Sequence, residues 1–222
     1  MCDGRLFAPQ IAAFSGHRAV QLAPLTGADS IDGLARAVLA DAPARFALAG
    51  LSLGGIVAIA VALAAPGRVA RLALIDTSAR SDGESEMAGA RERQMAAVRA
   101  GRLDEVMRDE MKPGYLAPGP GQADILDLCM AMARDLGVEA FLSQSRALRD
   151  RGDLRPALAR IAAPTLVMHG GEDRLCPRDR HEEIAAAIPG AWRVEIAGAG
   201  HLPVLEQPGA ANAALSRWLA AP

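Results

Sequence analysis

Gly50-Leu51-Ser52-Leu53-Gly54 decides how this chain is read. Ahead of it, Arg45-Phe46-Ala47-Leu48-Ala49 is an apolar run of strand length. Behind it, Gly55-Ile56-Val57-Ala58-Ile59-Ala60-Val61-Ala62-Leu63 has the length and alanine content of a buried helix. A G-x-S-x-G pentapeptide between a strand and a helix reads as a nucleophile elbow, the sharp turn that holds a serine hydroxyl out at the edge of a sheet. Strand and helix pass so closely there that only residues without a side chain fit. The uncharged stretch from Phe46 to Pro66 is about as long as a membrane span. However, Gly50, Ser52, Gly54 and Gly55 would weaken a continuous helix through its first half, so the stretch divides into strand, turn and helix.

A serine hydroxyl is a poor nucleophile at neutral pH without a base, and the base needs an orienting acid. His201 follows the alternating run Trp192-Arg193-Val194-Glu195-Ile196 and sits on the glycine-rich loop Ala197-Gly198-Ala199-Gly200, where an imidazole is free to meet a nucleophile. His169 ends the apolar run Thr165-Leu166-Val167-Met168 and reads as a packed structural residue. His17 and His181 stand among charged residues and read as solvated surface groups. The acid is sought in Gly170-Gly171-Glu172-Asp173-Arg174-Leu175-Cys176-Pro177, a loop between strand and helix that offers two carboxylates. Asp173 is preferred to Glu172, and a helix-capping role for Asp173 is the alternative.

In the order Ser52, Asp173, His201 the chain resembles the α/β-hydrolase superfamily. The pieces G-x-S-x-G-G, H-G-x-x-D-x-x-x-P (His169 to Pro177) and G-H-x-P-x-x-E-Q-P (Gly200 to Pro208) are similar to those of its small bacterial esterases and lactonases, among them the 3-oxoadipate enol-lactonase and pimeloyl methyl-ester esterase groups. The likeness runs from about Asp3 to the end and is weak between residues 80 and 150. It implies Ser52 as nucleophile, His201 as base, Asp173 as its partner, and the Leu53 N–H as one donor of the oxyanion hole. No metal or organic cofactor is implied.

A chain of 222 residues, 51% of them hydrophobic, has the length for one domain with an insertion. The net charge of −2, without long charge runs, gives no footing for nucleic acid or a membrane surface. Lys112 is the only lysine, and the arginine and alanine excess reads as coding bias. Cys2, Cys129 and Cys176 are sparse, odd in number and without metal-ligand spacing, which suits a reduced, cytoplasmic setting; Cys176 is read as packing. Met1-Cys2-Asp3-Gly4-Arg5 has no apolar leader region. The partner expected is a small ester or lactone, and a homo-oligomer is compatible with the sequence.

Along the chain, strands are expected at Arg18–Leu22, Phe46–Ala49, Val69–Ile75, from Leu166, and at Trp192–Ile196. Helices are expected at Ser30–Leu39, Ile56–Ala65, near Asp179–Ile188 and near Ala210–Leu219. Alternating strands and helices imply an α/β fold with a mainly parallel sheet and helices on both faces. Residues 1–79 and 152–222 would form that core. Residues 80–151 are polar, with helical spacing in Met87–Arg99, Leu103–Met111, Ile125–Leu136 and Val138–Leu148, and correspond to the place where the family inserts a helical cap. That segment holds Met87, Met95, Met107, Met111, Met130 and Met132, which suit either a pliable acyl pocket or packing between helices. Arg91, Arg93, Arg134 and Arg146 are read as mostly solvated.

The resemblance also implies N-terminal strands, the last ending in a His-Gly or Pro-Gly turn just ahead of Cys2-Asp3-Gly4. This chain begins past that turn, so a sheet lacking those strands and short of one oxyanion donor is expected, with weak hydrolysis and low stability, unless the segment near Cys2 supplies the donor. The expected reaction is acyl transfer from an ester, thioester or lactone to water. C–C bond hydrolysis and perhydrolysis would use the same residues. A ligand-binding protein with an unactivated Ser52 is the reading from a different class.

Overall fold

Phe46–Leu51 (β1) and Val69–Ile75 (β2) lie side by side in parallel, with Leu51 opposite Ile75. The computed structural model describes residues 1–82 and 86–221, and at residues 86–88 the backbone alone. Its sheet continues with Thr165–Gly170 (β3) and Trp192–Ile196 (β4), parallel throughout and in the order β1-β2-β3-β4. The helices are Ala8–Phe14 (α1), Ile31–Asp41 (α2), Leu53–Ala64 (α3), Glu86–Arg99 (α4), Leu103–Glu105 (α5), Gln122–Arg149 (α6), Arg178–Ala187 (α7), Pro203–Glu206 (α8) and Pro208–Ala220 (α9). Among the described residues none is long and apolar enough to cross a membrane.

Successive side chains of a strand point to opposite faces of the sheet, and that alternation divides the core in two. Leu72, Leu74 and Val167 pack with α2, α3 and Ile184 of α7. Ala73, Ile75, Leu166 and Met168 pack on the other face with Ala211, Leu215 and Trp218 of α9. A strand covered on both sides must be apolar at every position, and Leu72 to Ile75 are all fully buried. Helix α3 runs under this cover with Ile59 and Val61 completely enclosed, each such side chain contributing roughly 1.5–3 kcal/mol. Ser30 caps α2 through its hydroxyl, which accepts the Gly33 N–H at 3.2 Å.

Arg18–Leu22 is not a strand. It runs exposed and without ladder hydrogen bonds, with Val20 and Leu22 45% and 46% exposed. A strand exists only through its partner, and among the described residues no strand lies on the open side of β1 to receive it. The segment is tied down instead by Gln21 Nε2, which donates to the Asp41 carbonyl at 3.0 Å, and by Leu22, which sits over Gly4.

Residues 86–149 are mainly helical. After α5 the chain tightens into a π-helical turn, Val106–Met111, and α6 breaks at Gly137, whose φ of 75° no other residue type adopts cheaply. Met95, Met107 and Met130 pack with Val98, Val106, Phe141 and Leu142 in a third apolar cluster, so these methionines serve helix packing. Met132 is buried in the sheet's second core, and the Met87 side chain lies outside the described residues. The segment leaves and rejoins the sheet at a clamp. Leu154 N–H donates to the Ala79 carbonyl at 2.8 Å and Arg151 Nε to the Arg80 carbonyl at 2.9 Å. Asp82 joins Arg91 and Arg151, the latter at 2.8 Å, with only 5% of its side chain exposed.

Candidate active site

The carboxyl ends of the strands carry the site. Ser52 follows β1 with φ 55° and ψ −117°, a conformation expensive for any residue with a side chain. It is held there from several directions. Its N–H donates to the Ile75 carbonyl at 2.9 Å, and its own carbonyl accepts the Gly55 N–H at 2.9 Å and the Thr77 hydroxyl at 2.8 Å. The glycines around it differ in necessity. A Cβ on Gly50 would stand 2.1 Å from the Gly54 carbonyl oxygen, and one on Gly55 would stand 2.6 Å from Thr77. Gly54 faces only Leu25, at 3.8 Å. Leu53 opens α3, where the first N–H groups have no acceptor within the helix, so its N–H is available to an anion beside Ser52.

Asp173 and His201 meet in the loops after β3 and β4. His201 Nδ1 lies 2.8 Å from Asp173 Oδ2, and Asp173 Oδ1 accepts the Leu175 and Cys176 N–H groups at 2.8 and 3.1 Å. Burial raises the Asp173 pKa, yet the hydrogen bond and charge of His201, together with the Cys176 N–H, outweigh it and leave the carboxyl below its ordinary value. Glu172 beside it is exposed. Of the two carboxylates weighed from the sequence, Asp173 is the one that faces His201. The Ser52 hydroxyl hydrogen-bonds to neither His201 nor any other described residue.

The His201 loop is organised by a carboxylate that sequence reasoning quoted without giving it a role. Glu206 Oε2 accepts the Ala117 and Gly200 N–H groups at 2.7 and 2.9 Å, and Oε1 accepts that of Leu202 at 2.9 Å. Tyr115 holds the histidine from the helical segment: its carbonyl accepts the His201 N–H at 2.6 Å and its ring meets the imidazole edge-on. Lys112 is buried over the same Tyr115 ring, 4.2 Å from its centre. A cavity of about 70 Å³ opens on Ser52 and Leu53, walled by Arg91, Met111, Tyr115 and Phe141. Arg91 is therefore not a solvated residue of the kind its surroundings in the sequence suggest; its side chain is 12% exposed and paired with Asp82. Arg93 and Arg134 are exposed as expected.

His181 departs furthest from its sequence reading. It is completely buried, its ring stacked on His169 with centres 4.6 Å apart, and both its nitrogens lack hydrogen-bond partners. Burial pulls its pKa down to about 3. The charged residues around it in sequence lie on the outer side of α7, while one helical face turns inward. His17 is exposed and His169 is packed, both as expected. Asp76, Asp173 and His181 converge with one ligand-type atom each within 4.8 Å of the others, as do Asp173, Cys176 and His201. In both groups the Asp173 oxygens are already taken by three donors.

Known proteins resemble this chain along nearly its whole length. It is 30% identical to a pimeloyl-[acyl-carrier protein] methyl ester esterase of Xanthomonas oryzae pv. oryzae, over 98% of this chain and 90% of that one. A thermophilic esterase from Thermogutta terrifontis superposes with a TM-score of 0.87 at 26% identity, covering 98% of this chain and 85% of the other. The enol-lactonase from Burkholderia xenovorans LB400 gives a TM-score of 0.80 at 28% identity, covering 98% and 87%. The alpha/beta hydrolase family model matches residues 3–215. With a parallel sheet, a strained serine between strand and helix, and an Asp–His pair on the neighbouring loops, the chain belongs to the alpha/beta hydrolase family.

Proposed function

We propose that this protein is a serine hydrolase that cleaves a carboxylic ester, thioester or lactone through an acyl-enzyme on Ser52. At the coarser level, a hydrolase of esterase or lactonase type follows from the family and from relatives that carry those names. The observation that carries the finer reading is the buried His201–Asp173 pair, 2.8 Å apart, in the loops beside the strained Ser52. His201 takes the serine proton as the hydroxyl attacks the carbonyl carbon. Asp173 holds the imidazole tautomer and stabilises the imidazolium, and the Leu53 N–H receives the developing oxyanion. The alcohol, thiol or ring oxygen leaves with the proton from His201. Water, deprotonated by the same histidine, then releases the acid and restores Ser52.

Residues 80–151 act in this reading as the cap, contributing Arg91, Met111, Tyr115 and Phe141 to the cavity wall. At about 70 Å³ the cavity is well below the ~300 Å³ at which small-molecule sites begin, which favours short acyl groups or a cap that opens. Turnover of 4-nitrophenyl acetate and of a small lactone by wild type and Ser52→Ala tests the reading. Loss of turnover in the variant, with unchanged folding, is the result expected. The ligand-binding alternative draws on the Ser52 hydroxyl having no hydrogen bond to His201, and it predicts binding of esters without their hydrolysis.

A further inference from the structure

Asp76 follows β2 directly, in the strand end that lies between Ser52 and the Asp173 loop. Its φ is 40°, a left-handed conformation that an aspartate keeps only where its surroundings hold it. The residue is completely buried. Oδ1 accepts the Gly170 N–H at 2.9 Å, and the backbone N–H donates to the Met168 carbonyl at 3.0 Å. Oδ2 is buried and receives no donor. Facing it are the Asp173 carboxylate and a His181 nitrogen, the three groups having one atom each within 4.8 Å of the others.

Two carboxyl groups with oxygens within 4.8 Å of each other, away from water, are not both ionised. Asp173 has three donors on its oxygens, from Leu175, Cys176 and His201, whereas Asp76 has one, from Gly170. The shared proton therefore belongs on Asp76, where it turns an orphaned acceptor into a donor and adds a further hydrogen bond to Asp173. We propose that Asp76 is a neutral carboxylic acid under working conditions and that it donates its proton to a hydrogen bond with Asp173, making it a positioning residue for the His201–Asp173 pair. This rests on the reading of that pair as catalytic.

The electrostatics agree with the geometry. Burial first, and then the Asp173 charge, hold the Asp76 carboxyl well above the ordinary range, and Glu206 acts in the same direction. The Gly170 N–H is the one opposing influence. His181 and Cys176 also lie near Asp76; burial keeps the imidazole neutral and pushes the thiol pKa up, so neither supplies a cation to stabilise an anion there. A neutral donor behind Asp173 does two things. It fixes the carboxylate so that Oδ2 stays on His201, and it draws off part of the negative charge that would otherwise hold the proton too tightly on the imidazole.

The test uses Asp76→Asn, which keeps a donor towards Asp173 and an acceptor for Gly170 N–H, and Asp76→Ala, which keeps neither. In the intact protein at pH 8, infrared difference spectroscopy should show a protonated carboxylic acid band that disappears in Asp76→Asn and persists in Ser52→Ala. The acidic limb of kcat/KM against pH should superpose for wild type and Asp76→Asn. In Asp76→Ala it should move to higher pH, with kcat/KM reduced about tenfold to a hundredfold, as expected for a buried hydrogen bond to a charged group. Absence of the band, or an Asp76→Asn profile displaced from wild type, overturns the proposal. So does zinc binding that abolishes the band, which would make Asp76, Asp173 and His181 a metal site. If Ser52→Ala kept full turnover, the catalytic reading would fail while the band still reported on the proton; and should Asp76→Ala not fold, the band and the Asp76→Asn profile decide alone.

Discussion

His201 Nδ1 stands 2.8 Å from Asp173 Oδ2, with 3% and 1% of the two side chains exposed. A buried polar pair so placed is weak evidence of stabilisation, because taking both groups out of water costs about as much as their attraction returns. In the proposed reaction it orients a tautomer: with the proton on Nδ1 facing Asp173, Nε2 is left to act as the base. Asp173→Asn should accordingly lower kcat by about 10⁴-fold. Ser52→Ala and His201→Ala should each cause losses of several orders of magnitude. Combined, the three changes should cost little more than the worst of them, because the residues act as one unit. Single-turnover kinetics on the combined variants measures this.

His181 should make the fold acid-sensitive. Its pKa is lowered from 6.5 to about 3 by burial, so below pH 6.5 the unfolded chain takes up a proton that the folded chain refuses. The stability His181 contributes is complete above pH 6.5 and is lost as pH falls towards 3, at about 1.4 kcal/mol per pH unit. His181→Leu removes this slope and, since both ring nitrogens lack partners, leaves no donor stranded. The urea midpoint of wild type should fall between pH 7 and pH 4.5 while that of the variant falls less, so the two diverge in favour of the variant as the pH drops. Parallel curves at both pH values would contradict the burial argument.

Asp82 should matter for stability far more than its place in a polar stretch suggests. Held between Arg91 and Arg151, it neutralises two cations where the helical segment joins the sheet, and Asp82→Ala leaves both in a largely enclosed position. A loss of roughly 3–5 kcal/mol is expected, readable as a lower urea midpoint. Adding Arg91→Met should recover part of it.

The elbow glycines give a graded test. Gly50→Ala places a Cβ 2.1 Å from backbone oxygen, whereas Gly54→Ala meets only a leucine methyl at 3.8 Å. The first should abolish soluble protein or esterase turnover, and the second should fold with activity near wild type. Equal tolerance at both positions, measured by thermal unfolding, would mean that the turn is looser than described.

Much of this was legible because the signals were local. The strand-turn-helix around Ser52 rests on glycine placement and an uncharged run, and the strands Val69–Ile75 and Trp192–Ile196 fall where their patterns put them. Arg18–Leu22 reads like a strand but among the described residues has no neighbour to pair with, and pairing is a property of the sheet that the segment cannot express alone. His181 and Arg91 looked solvated from their neighbours in sequence, yet a helix turns each residue by about 100°, so adjacent residues face in different directions. Asp76 carried a faint signal, a single acid closing the fully apolar run Leu72-Ala73-Leu74-Ile75. Such an acid must find a partner, but the partner comes from β3 and the loop after it, more than ninety positions away.

The central claim is that Ser52 is a nucleophile activated by His201. Incubation with a fluorophosphonate probe, followed by peptide mass analysis, measures it most directly. A single adduct on the Ser52 peptide, lost in Ser52→Ala and slowed by orders of magnitude in His201→Ala, is the result expected. An unlabelled Ser52 in a protein that still hydrolyses esters, or labelling that proceeds at the wild-type rate in His201→Ala, would contradict it.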